Sequence, residues 1–300
     1  MSLLTSATDA LPHTAALPHT GSLAQQAILA KLSDLPPFSP VLNKLLASLG
    51  NEDFSYGQLG ALIEQDMVLS GNVLRLVNSA AYGRRVEVMA ISKAIAMLGV
   101  NKLRNLVLTL SVANMWRRVK LDHDWSLERF NAHELSTAIL SDLIAQRVAL
   151  QFPEGAFLAG LLHDLGKLLV VMASPADHLD IEAQMARTGC SLLEAERLIL
   201  GIDHAALSAE ALAIWKLPAT LQRAVRDHHA PVQGELSMVI SVADECVNRL
   251  GLGIVAPAEM PQAADAELCG PALVRLSLEG DSERLLAEFR TEFEVAKSVR

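Results

Sequence analysis

Leucine and alanine recur at helical spacing along almost the whole chain after residue 23. A chain of strands would instead alternate Val, Ile, Thr and aromatic residues with polar ones. Such alternation is rare here, and aromatic residues make up only 4% of the sequence. Turn signals at Pro36-Pro37, at Pro153 to Gly155 and at Lys216 to Pro218 separate the helical stretches. Because 51% of the residues are hydrophobic, these helices can bury a compact core, and the sequence predicts an all-α, multi-helix bundle.

The spacing of apolar residues and turn signals predicts the helices individually. They lie at 23–33, 38–49, 56–64, 69–79, 91–98, 101–118, 127–150, 155–172, 178–187, 191–199, 203–215, 218–228, 235–250 and 282–297. A charged and aromatic stretch near residue 122 separates an Arg/Lys-rich part from a His/Asp-rich part. We therefore predict two helical subdomains that share one core, at 23–122 and 123–250. A flexible tail at 1–22 precedes them, and a helical appendage at 251–300 follows.

Several features predict a cytoplasmic protein that does not associate with a membrane. No apolar run reaches the roughly 18 to 20 residues of a membrane helix, because charged residues interrupt each candidate. The first 22 residues lack the basic and apolar regions of a secretion signal. The three cysteines are far apart and lack the paired spacing of a Cys-based zinc site.

Histidines and aspartates are concentrated between residues 133 and 244, in sequence that reads as helical. Imidazole and carboxylate groups together are typical ligands of first-row divalent metals. A single histidine is more often a core residue, and Asp164 alone could pair with Lys167 one turn later. Asp244 is harder to explain in this way, because an ionised carboxylate in an apolar run is costly unless it is paired or bound to a metal. The candidate metal ligands are His133, His163, Asp164, His204, His228, His229 and Asp244.

The order of these residues resembles the HD superfamily of metal-dependent phosphohydrolases, with His163 and Asp164 inside Leu-Leu-His-Asp-Leu-Gly-Lys. Those enzymes use a metal centre to activate water and hydrolyse phosphate esters. The resemblance implies a divalent transition metal such as Fe, Mn or Zn, and seven candidate ligands exceed what one tetrahedral ion needs. In the HD-GYP branch, a Glu and a Gly-Tyr-Pro loop follow the paired histidines. Here His229 is followed by Ala-Pro-Val-Gln-Gly, so we do not expect cleavage of a cyclic dinucleotide.

Further motifs are similar to those of HDOD domains, the HD-related output domains of bacterial signalling proteins. They are Leu35-Pro36-Pro37, Ile63 to Asp66, Leu74 to Ala80, Tyr82-Gly83, Ile91 to Ile95, Leu98-Gly99, Trp215 to Pro218 and His228 to Pro231. The similarity covers about residues 30–250. It implies a regulatory or partner-binding module, since no general catalytic activity is established for that family. Many members lack some of the ligand positions, whereas this chain keeps all seven.

Basic residues are concentrated between residues 71 and 120, where nine of them accompany one acidic residue in a chain of net charge −9. This asymmetry is typical of a face for an anionic partner, with Arg75, Arg84, Arg85 and Lys102 as candidates. Solvated helix faces balanced by acidic neighbours explain the same charges. No nucleic-acid motif accompanies them, so a nucleic-acid partner is not expected.

Two functions remain open. The first, which the sequence favours, is a signal-transduction output module that carries a metal centre and acts through a protein partner. The second is a metal-dependent phosphohydrolase acting on a nucleotide or another phosphoester. In that enzyme Asp164 and Lys167 are the catalytic residues: Asp164 bridges the metals, the histidines are the remaining ligands, and Lys167 steadies the phosphate.

Overall fold

A computed structural model describes residues 20–34, 40–47, 56–78, 87–116, 119, 121, 125–255 and 263–297. All regular structure in these residues is helical, which confirms the predicted all-α fold. The helices of the first part are α1 (Thr20–Ala30), α2 (Pro40–Ala47), α3 (Tyr56–Glu64), α4 (Met67–Val77), α5 (Ile91–Leu98) and α6 (Val100–Trp116). The Asp66 carboxylate caps α4 by accepting the Leu69 N–H at 3.0 Å.

The second part of the chain contains ten helices in its described residues. They are α7 (Leu127–Ala145), α8 (Ala156–Leu162), α9 (Leu165–Ala173), α10 (Pro175–Thr188), α11 (Leu192–Leu200), α12 (His204–Ile214), α13 (Ala219–Arg226), α14 (Leu236–Arg249), α15 (Asp265–Leu273) and α16 (Ser282–Lys297). Local signals fix several helix starts. Ser191 and Glu194 form a capping box at α11, and Asp203 caps α12 by accepting the Ala206 N–H.

Helix α7 lies at the centre of the second part. Most of its side chains are buried on every face, and it packs against α8, α14 and α16. The first helix also lies on this part, because α1 contacts α9, α11 and α12, and the Gln25 amide donates to the Glu210 carboxylate at 2.8 and 2.9 Å. Buried apolar side chains from Ile28 in α1 to Phe293 in α16 form one continuous core.

Two helix predictions need correction, and one helix was not predicted. The helix predicted at 155–172 is interrupted, since α8 ends at Leu162 and α9 begins at Leu165, with His163 and Asp164 at the junction. The helix predicted at 127–150 ends at Ala145. Helix α15 was not predicted, because Pro271 lies inside it and a proline usually marks the end of a helix.

The stretch Pro153–Ala173 is long and apolar enough to cross a membrane by length and composition, contrary to the sequence prediction. However, 83% of its most apolar window is buried inside the bundle. Helices α5 and α6 are long and apolar enough only as a pair, and they are bent by 117° at Gly99. Buried core helices of globular proteins have the same length and composition.

Candidate metal centre

All seven candidate ligands lie close together in the second part of the bundle. His133 is in α7, His163 and Asp164 form the α8–α9 junction, and Asp244 is in α14. The break at this junction puts the two adjacent side chains at the start of a new helix, where a carboxylate is also favoured by the helix dipole.

The other three histidines approach from the opposite side. His204 is the first residue of α12, and His228 and His229 follow the end of α13. His133, His163, His204 and His228 are at most 1% exposed, whereas His229 is exposed. The cluster is therefore buried except at His229 and, in part, at Asp244.

Asp164 stands between two sets of histidines, with one carboxylate oxygen toward each. Its Oδ1 lies 3.2 Å from His204 Nε2 and 3.8 Å from His228 Nε2. Its Oδ2 lies 3.5 Å from the Nε2 atoms of both His133 and His163. This arrangement fits a carboxylate that bridges two cations.

The remaining two candidates complete the two sets. Asp244 Oδ1 lies 3.2 Å from His133 Nε2 and 3.7 Å from His163 Nε2. On the other side, His229 Nε2 lies 2.8 Å from His204 Nε2. Donor atoms of Asp164, His204, His228 and His229 lie within 4.8 Å of one another, as do those of His133, Glu134, His163 and Asp164. Such spacings are compatible with ligands that share a metal ion.

Several buried nitrogen and oxygen atoms of the cluster, all of them possible metal ligands, have no hydrogen-bond partner in the described structure. They include the Nε2 atoms of His133, His163 and His228 and the Oδ1 atom of Asp164. Buried polar atoms are normally paired, because leaving them unpaired is costly. Nitrogen and oxygen atoms of this kind, grouped in one small space, fit a site for cations.

Hydrogen bonds on the far side of three histidines orient their rings. Nδ1 of His163 donates to the Gly160 carbonyl at 2.9 Å, and Nδ1 of His228 donates to the Val225 carbonyl at 2.6 Å. Nδ1 of His204 lies 2.7 Å from Glu196 Oε2, which also accepts the His204 backbone N–H at 2.9 Å. A proton held at Nδ1 leaves Nε2 free as a ligand, the usual arrangement in metal sites.

The charge states also suit metal binding. Burial alone would raise the pKa of Asp164, but His163, Lys167 and His204 hold it well below its usual range. Burial and the neighbouring histidines lower the pKa of His228 strongly and that of His229 to about 4. Asp164 is thus ionised and this histidine pair neutral at pH 7, the forms that bind metals.

The histidines nearest the carboxylates behave differently. Burial lowers the pKa of His133 and of His163, but Asp164, Asp244 and, for His163, Glu134 outweigh it, so both pKa values are raised. A proton on these rings balances the same carboxylates that a cation would. Metal binding is therefore expected to release protons.

Lys167, in the first turn of α9, places Nζ 2.5 Å from Asp164 Oδ2 and keeps 22% of its side chain exposed.

Two carboxylates of the cluster were not predicted from the sequence. Glu134 is buried with its Oε1 3.6 Å from His163 Nδ1, and its position directly after His133 was an available signal. Glu196 reads as an ordinary charged residue of the amphipathic helix α11, so its contact with His204 depends on the tertiary fold.

Two of the four basic candidates of the first part, Arg75 and Lys102, lie in its described residues. Arg75 is exposed on α4, and Lys102 Nζ forms an ion pair with Glu292 of α16 at 2.6 Å. Arg84 and Arg85 lie outside the described residues.

Cys246 and Cys269, distant in sequence, are buried side by side between α14 and α15 as free thiols.

Known proteins resemble this chain over most of its length. A protein from Geobacter sulfurreducens is described as an HDOD domain protein with unknown function. Its match covers 93% of this chain and 97% of that protein's structure, with a TM-score of 0.70 and 21% identity. A protein from Shewanella amazonensis SB2B is provisionally named a phosphohydrolase. Its match covers 91% of this chain and 98% of that protein's structure, with a TM-score of 0.71 and 26% identity.

A curated relative and a family match complete the comparison. An uncharacterized protein of Treponema pallidum (strain Nichols) is 24% identical over 204 residues, which are 68% of this chain but 39% of that protein. The chain thus spans about two fifths of the length of this relative. The HDOD domain family matches residues 35–231, about two thirds of the sequence. The chain therefore belongs to the HDOD domain family.

Proposed function

We propose that this HDOD protein binds two divalent transition-metal ions and uses them to hydrolyse a phosphoester. The observation that carries the proposal is the position of Asp164, whose Oδ1 faces His204 and His228 while its Oδ2 faces His133 and His163. A carboxylate shared in this way between two ligand sets is typical of dinuclear centres that act on phosphate esters. Fe, Mn or Zn suits the mixed imidazole and carboxylate donors.

When bound, such ions activate water and polarise a phosphoryl oxygen. The chain contributes the remaining parts of the reaction. Lys167, partly exposed beside Asp164, supplies N–H donors and positive charge to a phosphate at the open side of the cluster. The Gly160 and Val225 carbonyls and Glu196 hold protons at Nδ1 of their histidines, which keeps each Nε2 directed at the cluster.

We rank catalysis ahead of the purely regulatory role that the sequence favoured, and the accessibility of the cluster supports this order. A structural metal site is usually closed by protein ligands on all sides, whereas a catalytic one keeps a position open. Here His229 is exposed and Lys167 reaches solvent, so one side of the cluster is accessible. The provisional phosphohydrolase name of the Shewanella amazonensis protein supports the same reaction class.

The test combines metal analysis with turnover. Protein purified without chelators should contain more than one equivalent of transition metal per chain, and it should hydrolyse members of a panel of phosphomonoesters and phosphodiesters. Asp164→Asn should lose both properties, whereas the control Asp180→Asn, at an exposed position of α10, should keep them. Trace metal in the wild type, or turnover that survives Asp164→Asn, would overturn the proposal.

A regulatory role through a protein partner is the second candidate, and exposed apolar side chains of the first part favour it. Met67, Val68 and Met89 are 86%, 70% and 80% exposed, and Arg75 on the same helix as the first two is also exposed. Exposed apolar residues together with an exposed basic one are typical of a contact surface for an anionic protein. In this proposal the chain is a cytoplasmic signalling module whose partner binds the first part of the bundle.

Binding kinetics at two ionic strengths test this second candidate. Reversing charge at Arg75, Arg84 and Arg85 should lower the association rate with the partner, and the effect should shrink as salt rises. Reversal at Lys102 is a useful comparison, because Lys102 already pairs with Glu292 of the same chain. Equal association rates for wild type and the Arg variants at low salt would exclude this surface.

A further inference from the structure

A cavity of about 600 Å³ opens beside the metal cluster. It lies between α9, α10 and α11, the start of α7 and the segment that follows α14. Lys167 and Glu196 both line it, and these two side chains contact Asp164 and His204 of the cluster. A molecule held at Lys167 therefore has this cavity as the space for its remaining atoms.

Most of the cavity wall is apolar. The apolar lining residues are Trp125, Val170, Val171, Leu179, Ile181, Met185, Leu192, Ile254 and Val255. The Trp125 ring packs 5.2 Å from the buried ring of Phe130, which gives the wall a fixed aromatic surface. Leu179 and Val255 are 58% and 82% exposed, an unfavourable arrangement for large apolar side chains that a bound apolar group would relieve.

The basic residues that line the cavity differ in their partners. The Arg129 guanidinium is engaged with the chain itself, because it donates to the carbonyls of Gly253 at 2.6 Å and Ile254 at 3.0 Å. His178 lies 3.5 Å from the Glu182 carboxylate. Among the described lining residues, Lys167 is thus the cation that contacts the metal cluster, whereas the Arg129 and His178 side chains bond to other groups of the chain.

We infer that the cavity binds the organic part of a phosphomonoester whose substituent is a single apolar group, either aryl or alkyl. The phosphate end lies at Lys167 and the apolar group lies between α9, α10 and Trp125. Nucleoside polyphosphates and cyclic dinucleotides are poor matches, since they carry further negative charge and polar rings into an apolar space. The inference rests on the proposed function, because it names the substrate class of the same site.

Phosphonates test the inference without turnover, since their P–C bond is not hydrolysed. We would titrate the metal-loaded full chain with methyl-, butyl- and octylphosphonate by calorimetry. Each methylene that enters the cavity should tighten binding by up to about fourfold. Octylphosphonate that binds no more tightly than methylphosphonate would overturn the inference.

Variants locate the apolar group. Met185→Glu places a charge in the cavity wall and should remove the dependence on chain length, while the metal content stays unchanged. Leu198→Glu, at a 65% exposed position of α11 outside the cavity, should keep the dependence. A chain-length dependence that survives Met185→Glu would place the apolar group elsewhere and contradict the inference.

The outcomes separate this inference from the proposed function. Metal-dependent turnover with no preference for an apolar substituent would support the proposed catalysis and overturn the role proposed for the cavity. A chain-length dependence without turnover of any phosphoester would overturn the proposed catalysis and leave the cavity as a binding site.

Discussion

Gly166 of α9 lies so close to His204 of α12 that a Cβ atom at residue 166 would stand 2.1 Å from the His204 carbonyl oxygen. The Gly166 N–H donates to Ser208 Oγ at 2.7 Å, and that hydroxyl donates to the same carbonyl at 2.8 Å. The missing side chain thus lets α9 and α12 approach closely. This contact brings Asp164 and His204, one on each helix start, to within ligand distance.

Gly166→Ala should therefore damage the metal centre without changing any ligand. The added methyl group meets backbone atoms, which cannot rotate away, so α9 and α12 must separate. We expect a loss of about 1 to 3 kcal/mol in the free energy of unfolding, the usual range for overpacking. Metal content should fall as well. Urea unfolding and elemental analysis measure the two effects.

The matched control is Gly71→Ala in α4, where no atom lies within 4 Å of the added Cβ. Alanine is the better helix former, so this variant should gain up to about 1 kcal/mol and keep its metal. If both variants retain metal equally, the close contact at His204 does not control the site.

Single ligand changes should separate the two ions. His229→Ala removes a donor from the set of His204 and His228, and we expect loss of about one equivalent of metal. His133→Ala should remove the other equivalent, and Asp164→Ala should remove both. All three proteins should remain helical by circular dichroism, because the apolar core supplies most of the folding free energy. Equal losses in all three variants would indicate one shared site.

Glu196→Gln should weaken metal binding although Glu196 is not placed as a ligand. Its carboxylate accepts from Nδ1 and from the backbone N–H of His204, and an amide cannot match this charged acceptor. Loss of such a support typically lowers metal affinity by about 10- to 100-fold. Competition with a chromogenic chelator measures the change. Glu235→Gln, at an exposed position before α14, is the control and should match wild type.

Arg147 holds α16 to the end of α7, and Arg147→Met should loosen that helix. The guanidinium bonds to Asp281 at 2.8 Å, to Glu288 at 2.6 Å and to the Leu143 carbonyl. Both carboxylates are more than a third exposed, so after solvent screening we expect a loss of only about 1 to 2 kcal/mol. Hydrogen exchange should accelerate in 282–297. Arg284→Met, at a 75% exposed side chain, should cost at most about 0.5 kcal/mol.

The same contact predicts a pH dependence. The hydrogen bond from Arg147 lowers the pKa of Glu288 in the folded protein. Its stabilising effect is therefore complete above the ordinary pKa of glutamate and is lost as the pH falls through the lowered value. The stability difference between wild type and Arg147→Met should shrink toward acid pH. A difference that grows in acid would contradict this assignment.

Sequence periodicity predicted the fold well where packing and local signals agree. The bounds predicted for 56–64, 91–98 and 282–297 match α3, α5 and α16, whose apolar positions repeat with helical spacing. The break at His163-Asp164 could not be predicted, because leucines continue the helical pattern on both sides. Helix α15 was not predicted for the opposite reason. Pro271 is a local signal for the end of a helix, and packing overrides that signal there.

The sequence allowed the candidate ligands to be named, but it did not allow prediction of the residues that orient those ligands. His133, His163 and Asp244 could be named because their order along the chain matches a known pattern, and the structure brings all seven named residues together; their role as ligands stays a prediction. Glu196 carries no signal of its own in the sequence, because its role arises only where α11 meets α12. Supports of this kind depend on contacts between distant segments.

The cluster draws on five separate stretches of the chain between residues 133 and 244. Ions shared among them would cross-link these stretches reversibly and would close several loops of the chain at one point. Closing loops restricts the unfolded chain most where the connecting segments are long. We therefore expect α7 to α14 to open as one unit in the loaded protein, and a single proteolytic cut in a connecting segment to leave two fragments that still travel together.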